Sequence, residues 1–390
     1  MPKQLKKNVT RFLPVFLNGF RSILSPILGI VFSYVIVTFF SKELWGYFVE
    51  YLLLFFIISI ICNWGSVTYL VRAFSQNPKN IIIDWQHSFT ARIPICILCT
   101  ISVFFFFELY IALFMMLWII STFIYHSFFP VIFYNRDYIK SISIEIIGFF
   151  TLIIQLFIFK NYLDLALLLW SYAFSVAVKA IVSLIYYHPF LRIKKGAFNF
   201  KVLKLSFPFF ILGITGFLQS KVDVYTYSFF YDAKALGEYQ IISGLFVFAG
   251  SLIAILSFPF VKNFYRFKIK SIESLKKSMI KYGVVINLLV LGIIYLILFF
   301  GFNIKLSMLQ ICIGYFISFP SYVYTTHIYN LIKNKREAKV IQIGLYSVII
   351  NLLISLFLLY LGYNVTGVLF ANAIAQLFCM FYSIKFKINA

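Results

Sequence analysis

Residues 205–239 read LSFPFFILGITGFLQSKVDVYTYSFFYDAKALGEY. The stretch 205–230 is long and apolar enough to cross a bilayer, which takes roughly 20 residues of helix. Within it Thr215, Gln219, Asp223 and Thr226 recur every three or four positions, so they share one polar stripe of that helix. Eleven further segments read the same way, giving expected spans near 13–40, 44–66, 90–107, 109–133, 139–159, 163–187, 236–260, 283–302, 306–330, 340–360 and 363–384. The third and fourth run together, broken only by Glu108, and residues 91–133 are too long for one crossing at about 1.5 Å per residue, so a tight hairpin is expected there. The fold class this predicts is an all-α polytopic membrane protein with twelve transmembrane helices.

Composition agrees. Of 390 residues, 62% are hydrophobic and 12% charged, which excludes an ordinary soluble core. The net charge of +22 lies in the connections, where it orients helices and meets anionic lipid headgroups. No basic and aromatic surface is long enough for a nucleic-acid groove, so no nucleic-acid partner is expected. With the N-terminus in the cytoplasm, 27 of the 34 Lys and Arg residues fall on the cytoplasmic side, 4 on the other (Lys42, Lys160, Lys234, Lys305) and 3 inside apolar segments. That asymmetry predicts a multi-pass protein of the bacterial inner membrane with both termini cytoplasmic. The basic residues Lys3, Lys6, Lys7 and Arg11 precede an apolar run to Phe40, longer than a signal-peptide core, so this run reads as the first span.

An internal repeat divides the chain. FLPVFLNG at 12–19 resembles SFPFFILG at 206–213, with Pro14/Pro208, Phe16/Phe210 and Gly19/Gly213 all 194 apart. Gly46 and Gly237 are 191 apart in LWGY and ALGEY, and FPVIFY at 129–134 matches FPSYVY at 319–324 at a spacing of 190. Six spans per half make this a parallel repeat. The expected organisation is an N-terminal six-helix bundle at 1–187, a cytoplasmic linker at 188–204 and a C-terminal six-helix bundle at 205–390, around a central cavity.

Six charged residues remain inside apolar segments: Arg21, Glu50, Glu145, Lys179, Lys221 and Asp223. A charge at a helix centre costs at least ~2.5–3.5 kcal/mol, so such residues usually face a bundle interior or a wet cavity. Polar neighbours extend the pattern. Ser171, Ser175, Lys179 and Ser183 repeat every four residues, and Asn18, Arg21 or Ser22, Ser25 and Gly29 form a second stripe. At the 194 spacing Arg21, Ser25 and Gly29 match Thr215, Gln219 and Asp223. The reading is a cavity with the cations Arg21, Lys179 and Lys221 and a polar lining of Asn18, Ser25, Ser171, Ser175 and Gln219. Paired ions tying helices together are the competing reading for each charge. Lys221, two residues from Asp223, points to a nearly opposite face and suits snorkelling. Cys96 and Cys99 form C-x-x-C within a span, with no nearby His, Asp or second Cys pair, and read as small packing residues. No metal ligand set and no cofactor is expected. Pro130 and Pro320 are expected to kink spans four and ten.

The layout and three stretches resemble the multidrug/oligosaccharidyl-lipid/polysaccharide exporter superfamily, its polysaccharide branch most, and within that the Wzx-type O-antigen flippases. The stretches are FFSKELWGY at 39–47, Gly65 to Arg72, and Asp223 to Tyr239. The resemblance spans the whole chain and implies two six-helix bundles with alternating access. It implies as cargo an undecaprenyl-diphosphate-linked oligosaccharide, moved from the cytoplasmic to the periplasmic leaflet, and suggests the polysaccharide polymerase and chain-length regulator as partners beside membrane lipids. Arg21 and Lys179 would then receive the diphosphate, and Glu50, Glu145 or Asp223 would couple an ion. The alternative on the same fold is a cation-coupled multidrug antiporter. An enzyme, such as a glycan polymerase or ligase, is disfavoured by outer loops only a few residues long, and no G-x-x-x-x-G-K phosphate loop is present.

Overall fold

The computed structural model describes residues 3–192, 198–257, 269–334 and 336–385. Of the basic loop residues, Lys194, Lys195, Lys262, Arg266, Lys268, Lys335 and Lys387 lie outside these ranges. Hydrocarbon offers no water to backbone amides and carbonyls, so apolar segments of this length close their hydrogen bonds as helices. Fourteen α-helices and no strand occur among the described residues: α1 (Lys3–Phe39), α2 (Lys42–Asn63), α3 (Ser66–Gln76), α4 (Ile81–Val103), α5 (Leu109–Ser127), α6 (Phe129–Asn135), α7 (Tyr138–Ile158), α8 (Leu165–Tyr186), α9 (Lys201–Ser228), α10 (Ala233–Ser257), α11 (Ile269–Leu296), α12 (Met308–Lys333), α13 (Glu337–Tyr360) and α14 (Val365–Lys385).

All except α3 and α6 correspond to the twelve expected spans. Ten stretches among the described residues are long and apolar enough to cross a membrane. The helices α4 and α12 are as long, at 23 and 26 residues, but carry more polar side chains. The expected hairpin between spans three and four turns at residues 104–108, between α4 and α5. Local chemistry sets other boundaries. The Asp164 carboxylate accepts from the Leu167 amide at 2.8 Å to start α8, and Ser307 with Gln310 closes a capping box on α12. Pro130 stands in the first turn of α6, where α5 has already ended, whereas Pro320 lies inside α12. Residues 269–281 are helical and run directly into the apolar part of α11.

The chain divides into two compact units. The first comprises Met1–Leu28 and Glu50–Ile214, and the second Gly29–Val49 and Thr215–Ala390. In the first, α8 packs on α5 and α7, and α3 on α6 and α4. Leu70, Phe74, Trp85, Phe128, Val131 and Ile132 form a buried cluster there, and the Trp85 indole donates to the Ser127 carbonyl at 2.7 Å. The break between α2 and α3 belongs to the same unit. Trp64 (φ 45°) and Gly65 (φ 65°) both take left-handed conformations, and a Cβ on Gly65 would stand 2.4 Å from the Phe210 nitrogen on α9. Trp64 stacks on Phe210 at 4.2 Å and donates to the Leu203 carbonyl at 3.0 Å, fixing that approach.

In the second unit α12 packs on α14, α10 and α11, and α13 on α14. The start of α2 meets the start of α10 backbone to backbone. A Cβ on Gly46 would fall 1.6 Å from the Ala233 carbonyl oxygen, and one on Gly237 2.8 Å from the Lys42 carbonyl oxygen. At the 191 spacing Gly46 corresponds to Gly237 and Lys42 to Ala233, so the repeat exchanges the two halves of this contact. Lys42 Nζ also meets Glu238 Oε1 at 2.8 Å, with both side chains partly exposed. Partly exposed pairs contribute only about 0–1 kcal/mol, so backbone proximity, not the ion pair, holds this crossing. Gly46→Val is expected to destabilise the purified protein by about 3 kcal/mol or more, because the helices must part, whereas Glu238→Gln is expected to cost under about 1 kcal/mol. Thermal unfolding in detergent measures both, and an unfolding temperature for Gly46→Val equal to wild type would contradict the crossing.

Candidate functional site

Four helices of the first unit bring charged and polar side chains together. Glu145 on α7 is buried and accepts two hydrogen bonds. Lys179 Nζ on α8 donates to Oε2 at 2.7 Å, and Tyr125 Oη on α5 donates to Oε1 at 2.6 Å. One turn along α7, Gly148 leaves the space that the Lys179 stem fills, since a Cβ there would lie 2.3 Å from Lys179 Cε. The sequence therefore builds a complete pair: acid, base, phenol and a groove for the aliphatic stem.

Arg21 on α1 is held differently. Its Nε donates to Ser141 Oγ at 2.7 Å, and its guanidinium carbon lies 4.6 Å and 5.2 Å from the ring centres of Phe133 and Phe129. Aromatic faces attract a cation without neutralising it. Arg21 forms no ion pair among the described residues, where the ion pairs are Lys42–Glu238, Lys140–Asp137 and Lys179–Glu145. Its terminal guanidinium nitrogens, the fork that grips a phosphate, make no hydrogen bond or ion pair among the described residues, and the paired Glu145 interacts with it electrostatically.

The expected serine stripe on α8 lies in the unit's interior. Ser171, Ser175 and Ser183 are buried, and their hydroxyls donate to the carbonyls of Leu167, Tyr172 and Lys179 on their own helix. Asn18 is buried with Oδ1 unpartnered, and Ser25 and Glu50 are exposed. Arg92 is fully buried inside α4. Arg21, Glu145, Lys179, Asn18, Ser25, Ser171, Ser175 and Glu50 all belong to the first unit, and Gln219, Lys221 and Asp223 to the second.

In the second unit Asp223 on α9 is completely buried. Its Oδ2 accepts from Tyr239 Oη at 2.7 Å, Ser243 Oγ at 2.8 Å and Asn372 Nδ2 at 3.0 Å. Among the described residues its Oδ1 has no hydrogen-bond partner, and neither has the Oδ1 of Asn372. Two unsatisfied acceptor oxygens on adjoining side chains suit a proton or a small cation. Lys221 is half-buried and makes no ion pair with Asp223. Gln219 donates to Cys379 Sγ at 3.1 Å. Sequence reasoning found Asp223 but not Tyr239, Ser243 or Asn372, whose only local signal was an Asn inside an apolar segment. No group of His, Cys, Asp and Glu among the described residues is arranged to hold a metal ion.

Removing one partner of a buried pair costs about 3–5 kcal/mol. Glu145→Gln and Gly148→Val are therefore both expected to lower the unfolding temperature, the first by stranding Lys179 and the second by displacing it. The double variant Glu145→Gln/Lys179→Met is expected to recover most of the loss from Glu145→Gln. Thermal unfolding across this cycle measures the coupling, and simple additivity would contradict the pairing.

No family model matches the chain, and no curated protein is similar enough to match it. Solved structures do match. A multidrug resistance MATE family transporter of the MOP superfamily, in its inward-facing conformation, superposes with a TM-score of 0.63 at 10% identity, over 96% of this chain and 97% of that one. The MATE multidrug transporter DinF-BH matches at 0.59 and 15% identity, over 99% and 95%. The lipid II flippase MurJ, in an inward closed conformation, matches at 0.50 and 17% identity, over 97% and 86%. Along nearly its whole length, this chain has the fold shared by MATE transporters and the MurJ flippase.

Proposed function

We propose that this protein is a flippase that moves an undecaprenyl-diphosphate-linked oligosaccharide, a surface-polysaccharide repeat unit such as O-antigen, from the cytoplasmic to the periplasmic leaflet by alternating access. The observation that carries the reading is Arg21: an intramembrane guanidinium on an aromatic platform, in no ion pair among the described residues and with the already paired Glu145 as its acidic neighbour. A diphosphate cannot cross hydrocarbon bare, and a bidentate fork compensates its charge. Lys179 is neutralised by Glu145 and serves the site by shaping it, so Arg21 is the principal anion ligand. The inside-negative potential favours outward movement of an anion by ~2.3 kcal/mol per charge per 100 mV. Asp223, with its open carboxylate oxygen, is the proposed coupling group for a proton or small cation. The glycan polymerase and chain-length regulator would act on the delivered unit.

The second reading, a cation-coupled multidrug antiporter, is favoured by the fold shared with MATE transporters and by the same buried Asp223. The two differ in what Arg21 does. Under the flippase reading Arg21→Ala abolishes glycan export in a complementation assay while the protein remains in the membrane, and Arg21→Lys retains part of it. Under the antiporter reading a cationic drug is indifferent to Arg21, and export of drug by Arg21→Ala is unchanged. Normal glycan export by Arg21→Ala would sink the proposal. Asp223→Asn is expected to reduce transport at least tenfold while leaving cargo binding in place.

A further inference from the structure

One short stretch of chain holds the Arg21 guanidinium at three points. Phe129 and Phe133 stand one turn apart on α6, and Ser141 lies in the first turn of α7. Between them Arg136 takes a left-handed conformation at φ 60°, and the Asp137 amide donates to the Ile132 carbonyl at 3.0 Å. The Ser141 amide donates to the Asp137 carbonyl at 3.1 Å, so the turn that places the two rings also places the hydroxyl. Phe129 is packed in its turn by Tyr125, edge-on at 4.9 Å, and by His126 at 4.7 Å between ring centres. The Tyr125 hydroxyl is bonded to Glu145, which ties this platform to the Lys179–Glu145 pair.

Ser141, Glu145 and Gly148 follow one another at spacings of four and three residues and share one face of α7. Glu145 and Gly148 serve Lys179, the first by charge and the second by space. Ser141 serves Arg21. It is completely buried, and its Oγ accepts from Arg21 Nε at 2.7 Å. Which nitrogen it takes matters. A guanidinium carries its N–H donors in one rigid plane, and it can grip an oxyanion side-on, through Nε and one terminal nitrogen, or end-on, through both terminal nitrogens. Ser141 occupies the Nε–H and so removes the side-on mode. The terminal nitrogens make no hydrogen bond or ion pair among the described residues. What is left is the end-on fork, which spans two oxygens of a single phosphoryl group.

We propose that Ser141 is a positioning residue for the cargo: by holding Arg21 Nε it orders the guanidinium before the cargo arrives and presents the two terminal nitrogens end-on to one phosphoryl group of the lipid-linked diphosphate. This rests on the flippase reading given above. Ser141 itself does not touch the cargo, and its contribution is preorganisation. A long side chain that its ligand must first order binds that ligand about two- to tenfold more weakly than one already in place.

The test compares Ser141→Thr with Ser141→Val, two side chains of nearly equal shape of which only threonine keeps a hydroxyl. Full-length protein in detergent is titrated with undecaprenyl diphosphate and separately with undecaprenol, and bound lipid is counted by native mass spectrometry. Ser141→Thr is expected to bind undecaprenyl diphosphate several-fold more tightly than Ser141→Val. The two are expected to bind undecaprenol alike, because the alcohol has no phosphoryl group for Arg21. If Ser141→Val does not accumulate, Ser141→Ala against wild type makes the same comparison. Equal affinities of the compared proteins for the diphosphate, in an assay where wild type prefers it to undecaprenol, would overturn the role of Ser141 alone. An equal loss for both lipids would also overturn it, since packing and not phosphoryl recognition would then be what Ser141 supports. A wild type that binds the two lipids equally would overturn the cargo reading, and this assignment with it.

Discussion

The low dielectric of the bilayer interior governs where each charge in this chain is placed. Two unit charges about 4 Å apart interact by about 1 kcal/mol in water and several times more in an effective protein medium, so an intramembrane charge must be compensated. The chain does this to different degrees. Lys179 is fully answered by Glu145, which also takes the Tyr125 hydroxyl. Asp223 is partly answered, with three donors on one oxygen and none on the other. Arg21 rests on two aromatic faces and one hydroxyl. That ranking separates side chains that hold the helices together from those with capacity left for a cargo or an ion.

The same constraint decided what could be read in advance. Spans were legible because hydrocarbon length and backbone satisfaction impose a long apolar run whatever lies next to it. Stripes were legible as stripes, since a four-residue repeat on α8 needs no tertiary knowledge, but their direction was not. The serines of α8 donate to their own helix within the interior of the first unit. Pairing was illegible: Lys179 and Glu145 are 34 residues apart and meet only once α7 packs on α8. Burial was illegible as well: Arg92 lies well inside α4 and is enclosed there.

Glycine shows the other route by which sequence sets the packing. At Gly46 and Gly237 the missing side chains let α2 and α10 touch through their backbones, and the internal repeat maps one half of that contact onto the other. At Gly148 the missing side chain admits the stem of a lysine, and at Gly65 it allows a left-handed turn against α9. Repeats and glycines were visible in the sequence. What each glycine touches follows only from the helices around it.

The central claim is that the cargo is a lipid-linked glycan, and deletion of the gene in its host tests it most directly. Surface glycan and lipid-linked intermediates would be measured together, with the leaflet of the intermediate fixed by its accessibility from the periplasm. The account predicts loss of polymerised surface glycan and accumulation of the complete undecaprenyl-diphosphate repeat unit in the cytoplasmic leaflet. Normal surface glycan together with altered drug sensitivity would contradict it.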